Sequence, residues 1–179
     1  MAQRNSDYER KDRDLYVTPR WVTEELLKHI RKPKRVWEPA TGPGIMAATI
    51  RLKTGAEVIE SDIATGTDFL DTTRPFEGDI ITNPPFKRAT QFIEHALALT
   101  KAHKGLCAFL LRVDFDSGKT RRHLFADQPA FAKKVVLLRR IIWFETEGKN
   151  AAPSENHAWY IWDWQGVELL DLPTIDYGP

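Results

Sequence analysis

One cysteine in 179 residues, Cys107, excludes an intrachain disulfide and leaves no thiolate set for a structural zinc. It sits in the apolar run Leu106-Cys107-Ala108-Phe109-Leu110-Leu111 and reads as a small buried hydrophobe. The five histidines have no paired ligand spacing, so no metal is expected. A surplus of one charge is also missing. Twenty-six Lys and Arg face 25 Asp and Glu, net +1, so any surface for a polyanion has to be local. Two stretches qualify: Lys28, Arg31, Lys32, Lys34 and Arg35, then Lys119, Arg121, Arg122, Lys133, Lys134, Arg139 and Arg140. Ordinary solvated surface is the alternative for both. No apolar run approaches the length of a membrane span, and the polar N-terminus is unlike a signal peptide, so a cytoplasmic location without membrane contact is expected.

What is present is a 42% hydrophobic chain of a size that fits one domain. Residues 1–14 read as a charged arm, 15–168 as the domain, and 169–179 as a tail without a clear element. Thr18 before Pro19 reads as a helix N-cap with proline at the first helical position, and Glu24 and Glu25 then fall near the positive helix end. Trp21, Val22, Leu26, Leu27 and Ile30 form the apolar stripe of that helix, which Pro33 stops. Strands are predicted at 35–38, 57–62, 79–82 and 106–111, with helices at 45–52 and 89–103 between them. That alternation predicts an α/β fold with a mostly parallel sheet and helices on both faces. A polar, basic connection at 114–132 precedes two further strands, 135–144 and 157–164, expected to form an antiparallel hairpin at the sheet edge. Tyr160, Trp162 and Trp164 share one face of the last strand and read as packing residues.

The stretch Asp79-Ile-Ile-Thr-Asn-Pro-Pro-Phe86 carries the most chemistry. Pro84 and Pro85 stiffen the turn and leave the carbonyls of Asn83 and Pro84 without a competing amide hydrogen on the next residue. The Asn83 side-chain oxygen is a second acceptor, and Phe86 adds a flat apolar face. A planar substrate with an NH2 group fits that set. At the end of the first strand, Glu38 precedes a turn containing Gly42 and Gly44 and then a helix, a nucleotide-binding pattern that lacks the third glycine of the dinucleotide fingerprint. A compact nucleoside with a positive centre suits Glu38, with Asp62 placed for ribose hydroxyls and Asp68 for an adenine amine. Ser117-Gly118-Lys119-Thr120 echoes a phosphate-binding loop, but Val113 stands where its first glycine belongs. Lys119, Arg121 and Arg122 read instead as phosphate-backbone contacts.

These motifs resemble those of S-adenosylmethionine-dependent methyltransferases of the Rossmann-like class I fold. Glu38-Pro-Ala-Thr-Gly-Pro-Gly44 is similar to their first motif, Ser61-Asp62-Ile63 and Thr67-Asp68-Phe69-Leu70 to the second and third, and Asn83-Pro84-Pro85-Phe86 to the amino-methyltransferase motif. Tyr16, Thr18 and Pro19 resemble the Tyr-x-Thr-Pro element of some adenine methyltransferases, and the nearest group is the small phage- or prophage-type DNA N6-adenine enzymes. The resemblance implies S-adenosyl-L-methionine as cofactor, held by Tyr16, Thr18, Pro19, Glu38, Ala40, Thr41, Gly42, Gly44, Asp62, Ile63, Asp68, Phe69 and Asn83. It implies that Asn83 and Pro84 hold the amine, that Phe86 stacks on the base, and that Trp143 or Phe144 supplies a second wall. DNA is the implied substrate, with an RNA base or a protein glutamine as alternatives and a silent binding subunit as a further reading. Only 114–132 is free for sequence readout, so a relaxed enzyme, one reading a short context through that loop, or one that relies on a protein partner or homodimer for recognition is expected.

Overall fold

The computed structural model describes residues 16–143, 155–169 and 173–178. In chain order the elements are α1 (Arg20–His29), β1 (Arg35–Glu38), α2 (Ile45–Thr54), β2 (Glu57–Glu60), β3 (Asp79–Thr82), α3 (Ala89–Lys101), β4 (Leu106–Arg112), β5 (Phe131–Leu137), β6 (His157–Asp163), α4 (Gly166–Leu169) and β7 (Thr174–Gly178). The strands form one sheet in the order β2-β1-β3-β4-β6-β5-β7. β2, β1, β3 and β4 are mutually parallel, and β6 runs antiparallel to both β4 and β5. The fold is the expected α/β architecture, a mostly parallel sheet with an antiparallel C-terminal hairpin.

Period-two alternation explains why the central strands are apolar throughout. Trp37, Ile80, Phe109, Leu111, Tyr160 and Trp162 pack on one face with Phe92, Ile93 and Ala96 of α3. Val36, Ile81, Ala108, Leu110, Trp159 and Ile161 pack on the other with Val22 and Leu26 of α1 and Met46 and Ile50 of α2. A strand covered on both sides has no polar position to offer water. The large aromatics keep their polar atoms bonded: Trp159 Nε1 donates to the Val22 carbonyl at 2.9 Å, Trp162 Nε1 to that of Leu124 at 2.6 Å. Trp164 is half-buried on the same face as Tyr160 and Trp162, as the alternation requires. Cys107 is fully buried beside Thr100, and burial pushes its thiol up to about 12.

Four expectations need correcting. Helix α1 starts at Arg20 with Pro19 as its cap and no side-chain capping bond, so Thr18 caps nothing; its hydroxyl serves Asn83 instead. Glu24 and Glu25 lie beyond the first turn. They answer cations: Glu24 pairs with Lys53, and buried Glu25 pairs with Lys28 and His29. The fifth strand starts at Phe131 rather than 135, with a register shift between Phe131 and Lys133, and ends at Leu137. Two lysines disguised its start. Lys134 is neutralised by Asp116 at 2.7 Å and the Val113 carbonyl, and Lys133 by Asp176 at 2.9 Å, partners far away in the chain. Finally, the hairpin is internal, because β7 pairs in parallel with β5 and forms the edge.

The order places a topological switch point at β1. β2 lies on one side of β1 and β3 on the other, so the chain reverses its direction of winding at β1. Open α/β sheets bind ligands at such a point, outside the carboxyl ends of the strands. Glu38 ends β1 and Asn83 follows the end of β3, its neighbour.

Candidate active site

The loops after β1 and β2 are stitched together. Thr41 N donates to the Ser61 carbonyl and Ser61 N to that of Glu38, both at 3.1 Å, while Gly42 N donates to Asp62 Oδ2 at 3.0 Å. Gly44, the cap of α2, has φ 77°, and a Cβ there would come within 2.9 Å of Glu60 Oε2. The positive φ favours glycine, and a Cβ would oblige the Glu60 carboxyl to move. Thr41 Oγ1 lies 2.8 Å from Glu60 and 3.4 Å from Glu38. Asp62 Oδ1 accepts from Ala64 N at 2.8 Å and opens a 3-10 turn, Ile63–Thr65, on which Ile63 is 65% exposed beside the acid.

Three carboxylates therefore gather at this loop pair, and one of them is deeply buried. Glu38 is 2% exposed. Burial, reinforced by the like charge of Glu60, pushes its carboxyl up to about 8, against the opposing pull of the Ala47 amide, Thr41 and Arg51. Arg51 is itself engaged by Glu60. The set is short of positive charge.

The turn after β3 is held from across the chain. Asn83 Nδ2 donates to the Tyr16 carbonyl at 3.2 Å and to Thr18 Oγ1 at 3.3 Å. Two acceptors on one side define the orientation of the amide, which leaves Oδ1 buried with no hydrogen-bond partner among the described residues. Pro84 is buried, and Pro85 and Phe86 are half-buried. Around Phe86 stand Tyr16 at 5.3 Å between ring centroids and His157 at 6.3 Å, nearly parallel to it. Trp143 closes the ring at 5.3 Å from Tyr16 and 5.1 Å from His157.

Other sequence-predicted residues fall less simply. Asp68 is half-buried and already engaged: Oδ1 accepts from Leu70 N and Oδ2 from Arg88 Nη1, each at 3.0 Å. The Leu70 amide, with Arg88, holds its carboxyl below the usual range. The Phe69 ring belongs to the core, against Trp37 and Phe92. Trp143 joins the aromatic group; Phe144 lies outside the described residues, as do 1–14. Of the basic trio, Arg121 lies over Phe115 at 4.1 Å, Arg122 pairs with Asp127 at 2.9 Å, and Lys119 is exposed. His157 was not singled out from sequence, although a histidine opening an otherwise apolar strand was a visible signal. No group of metal-ligating side chains occurs among the described residues, and no described helix is long and apolar enough to cross a membrane.

No family model matches this chain, and no curated protein matches it. Solved structures do. A Listeria monocytogenes protein described as a class I S-adenosylmethionine-dependent methyltransferase superposes with TM-score 0.58 at 14% identity, covering 89% of this chain and 62% of that one. A modification subunit of a type I restriction enzyme from Vibrio vulnificus gives TM-score 0.61 at 12% identity, covering 83% and 44%. The methyltransferase subunit of a type I restriction-modification system from Streptococcus thermophilus gives 0.52 at 13%, covering 82% and 44%. The chain thus spans less than two thirds of the length of each of these proteins, and what it shares with them is the fold.

Proposed function

We propose that this protein is an S-adenosylmethionine-dependent N-methyltransferase whose acceptor is an exocyclic amine, with adenine N6 in DNA as the leading substrate. The observation that carries the reading is the Asn83 side chain: its nitrogen is tied to Tyr16 and Thr18 while its buried oxygen has no donor. A buried acceptor without a partner costs about 1–3 kcal/mol. An incoming NH2 would remove that cost.

The residues fit the cofactor. The crowded carboxylates around Glu38 call for a cation, and glycine at 44 keeps the loop backbone open. When bound, S-adenosylmethionine supplies an electrophilic methyl on a sulfonium, together with an ammonium group. Glu38 would answer that positive charge, Asp62 the ribose hydroxyls, and exposed Ile63 one face of the adenine, with Tyr16, Thr18, Pro19, Ala40 and Thr41 bordering the site.

Asn83 Oδ1 and the Pro84 carbonyl would accept the two amine hydrogens. This turns the nitrogen lone pair out of ring conjugation and aims it for in-line attack, while Phe86 supports the ring. Positioning and charge compensation account for most of the acceleration. No strong base is required, since the alkylated nitrogen sheds its proton readily. In a duplex the base would first leave the stack.

Two of the structural neighbours are subunits of restriction-modification systems, which supports DNA as substrate. With Arg121 and Arg122 engaged within the chain, sequence readout is weak or comes from a partner or second copy. The test is labelled-methyl transfer to DNA, RNA and protein pools, with cofactor-induced thermal shift measured alongside. Transfer to DNA adenine supports the reading; transfer only to RNA or protein replaces the substrate; no thermal shift at millimolar cofactor points to a silent binding subunit.

Thr18 offers a milder probe. Thr18→Val removes one of two acceptors holding the Asn83 amide at nearly constant volume. The expected result is about a tenfold lower kcat, the equivalent of about 1.4 kcal/mol, with the cofactor-induced shift intact. An unchanged kcat would show that the Tyr16 carbonyl orients Asn83 by itself.

A further inference from the structure

His157 opens β6 opposite Arg112, the last residue of β4, so it stands at the same carboxyl edge of the sheet as the Asn83 turn. It is 1% exposed, and among the described residues neither ring nitrogen has a hydrogen-bond partner. An imidazole carries a donor and an acceptor, and leaving both unmet in the interior is costly. Packing does not call for it: phenylalanine would fill the same space beside Phe86 and Trp143 without that cost.

A second orphan stands at the same edge. Asn83 Oδ1 lacks a donor, and the ring group Tyr16, Phe86, Trp143 and His157 joins the two positions through centroid distances of 5.1–6.3 Å. An acceptor-only oxygen and an imidazole N–H are complementary to one chemical unit: an amine beside a bare ring nitrogen, on a flat ring that aromatic walls can hold.

We propose that His157 is a specificity-determining residue of the acceptor pocket, its imidazole N–H donating to the ring nitrogen next to the amine that Asn83 holds. For adenine this is N1. The inference rests on the methyltransferase reading and narrows it, since it selects heteroaromatic amines over a carboxamide. Burial keeps the ring in the form the role requires: it lowers the imidazole to about 4, with the Glu155 backbone, outside hydrogen-bond geometry, offsetting this only in part. At neutral pH one nitrogen is a donor and the ring carries no charge to repel a cationic cofactor.

The experiment uses the full chain, labelled with nitrogen-15 in its histidine rings and saturated with S-adenosylhomocysteine. It is titrated with millimolar deoxyadenosine monophosphate and with the 1-deaza and 7-deaza analogues. The adenine and 7-deaza nucleotides are expected to shift the His157 ring signals. The 1-deaza nucleotide, with C–H in place of N1, is expected to bind about tenfold more weakly and to leave them unmoved. In His157→Phe the tenfold difference between adenine and 1-deazaadenine should disappear while the thermal shift by S-adenosylhomocysteine persists. Equal binding of adenine and 1-deazaadenine to the wild type overturns the role of His157 and leaves the methyltransferase reading standing. Cofactor-product binding with no binding of any of the three nucleotides overturns the base-acceptor reading, and this inference with it.

Discussion

Asn83→Ala is expected to lower methyl transfer by about a thousandfold while leaving the cofactor-induced rise in melting temperature in place. The side chain's hydrogen bonds among the described residues run from its nitrogen, to Tyr16 and Thr18. Its buried oxygen has no hydrogen-bond partner among the described residues, so truncation removes no hydrogen bond made by that atom. What disappears is an acceptor that matters most when the amine becomes cationic during alkylation. A preorganised group of this kind is worth about 10²–10³ in rate, and loss of alignment adds to it. The measurement is steady-state transfer to the acceptor pool together with thermal shift against S-adenosylmethionine. Retention of more than a tenth of wild-type activity would remove Asn83 from the reaction. Loss of both readouts would mean that the Asn83 turn holds the cofactor loops in shape.

The second large effect is at Glu38 and is read against pH. Its folded value of about 8 stands above the ordinary 4.5, so between those limits the folded protein keeps a proton that the unfolded chain gives up. Stability from this group is therefore lost as pH rises, with a slope of at most about 1.4 kcal/mol per unit. His157 has the opposite sign. Its value is lowered to about 4 from 6.5, so the unfolded chain binds the extra proton in that window and stability rises with pH across it. The two slopes oppose one another from about 4.5 to 6.5, and the Glu38 decline stands alone between about 6.5 and 8. Melting curves in that upper window should fall for the wild type and stay flatter for Glu38→Gln, leaving the variant more stable at pH 8. The same variant should lose most cofactor affinity, because a neutral amide cannot compensate a cation. In the wild type, affinity should increase with pH toward about 8 and then level, since binding needs the carboxylate form. A pH-independent affinity, or a Glu38→Gln protein that binds normally, would refute the assignment.

The proposed binding role would account for a buried carboxyl at the end of β1. A stability-driven choice would place an amide or an apolar residue there. The same reasoning applies to the orphans at Asn83 and His157. Sites of local inconsistency in an otherwise well-packed fold are where function is expected.

The two halves of the sheet differ in how plainly the chain announced them. The β1 to β4 half was legible because its strands are short apolar runs bounded by Gly or Pro, with helices of regular spacing between, and their pairing follows from βαβ handedness. The β5 to β7 half was less so. Lys133 and Lys134 look like surface until Asp116 and Asp176 are brought to them, and β7, with Ile175 and Tyr177 more than 60% exposed, has little apolar pattern to announce a strand. At the site, Glu38, Gly44, Asp62, Asn83 and Phe86 stand out by residue type and spacing. Their environments do not, because burial and partner choice depend on groups far apart in the chain, 67 positions in the case of Tyr16 and Asn83.

By itself the amino-acid order determined the alternation of strands and helices, the glycine turn after the first strand and the stiff Asn-Pro-Pro-Phe turn, because each rests on local backbone restriction and side-chain periodicity. Only the folded arrangement decided that Thr18 would leave its helix and turn to Asn83, that His157 would face Phe86, and that Glu38 would hold its proton near neutrality. Hydrogen bonds, ring contacts and desolvation act between groups that are near in space, and the chain brings those groups together only when the sheet closes around them.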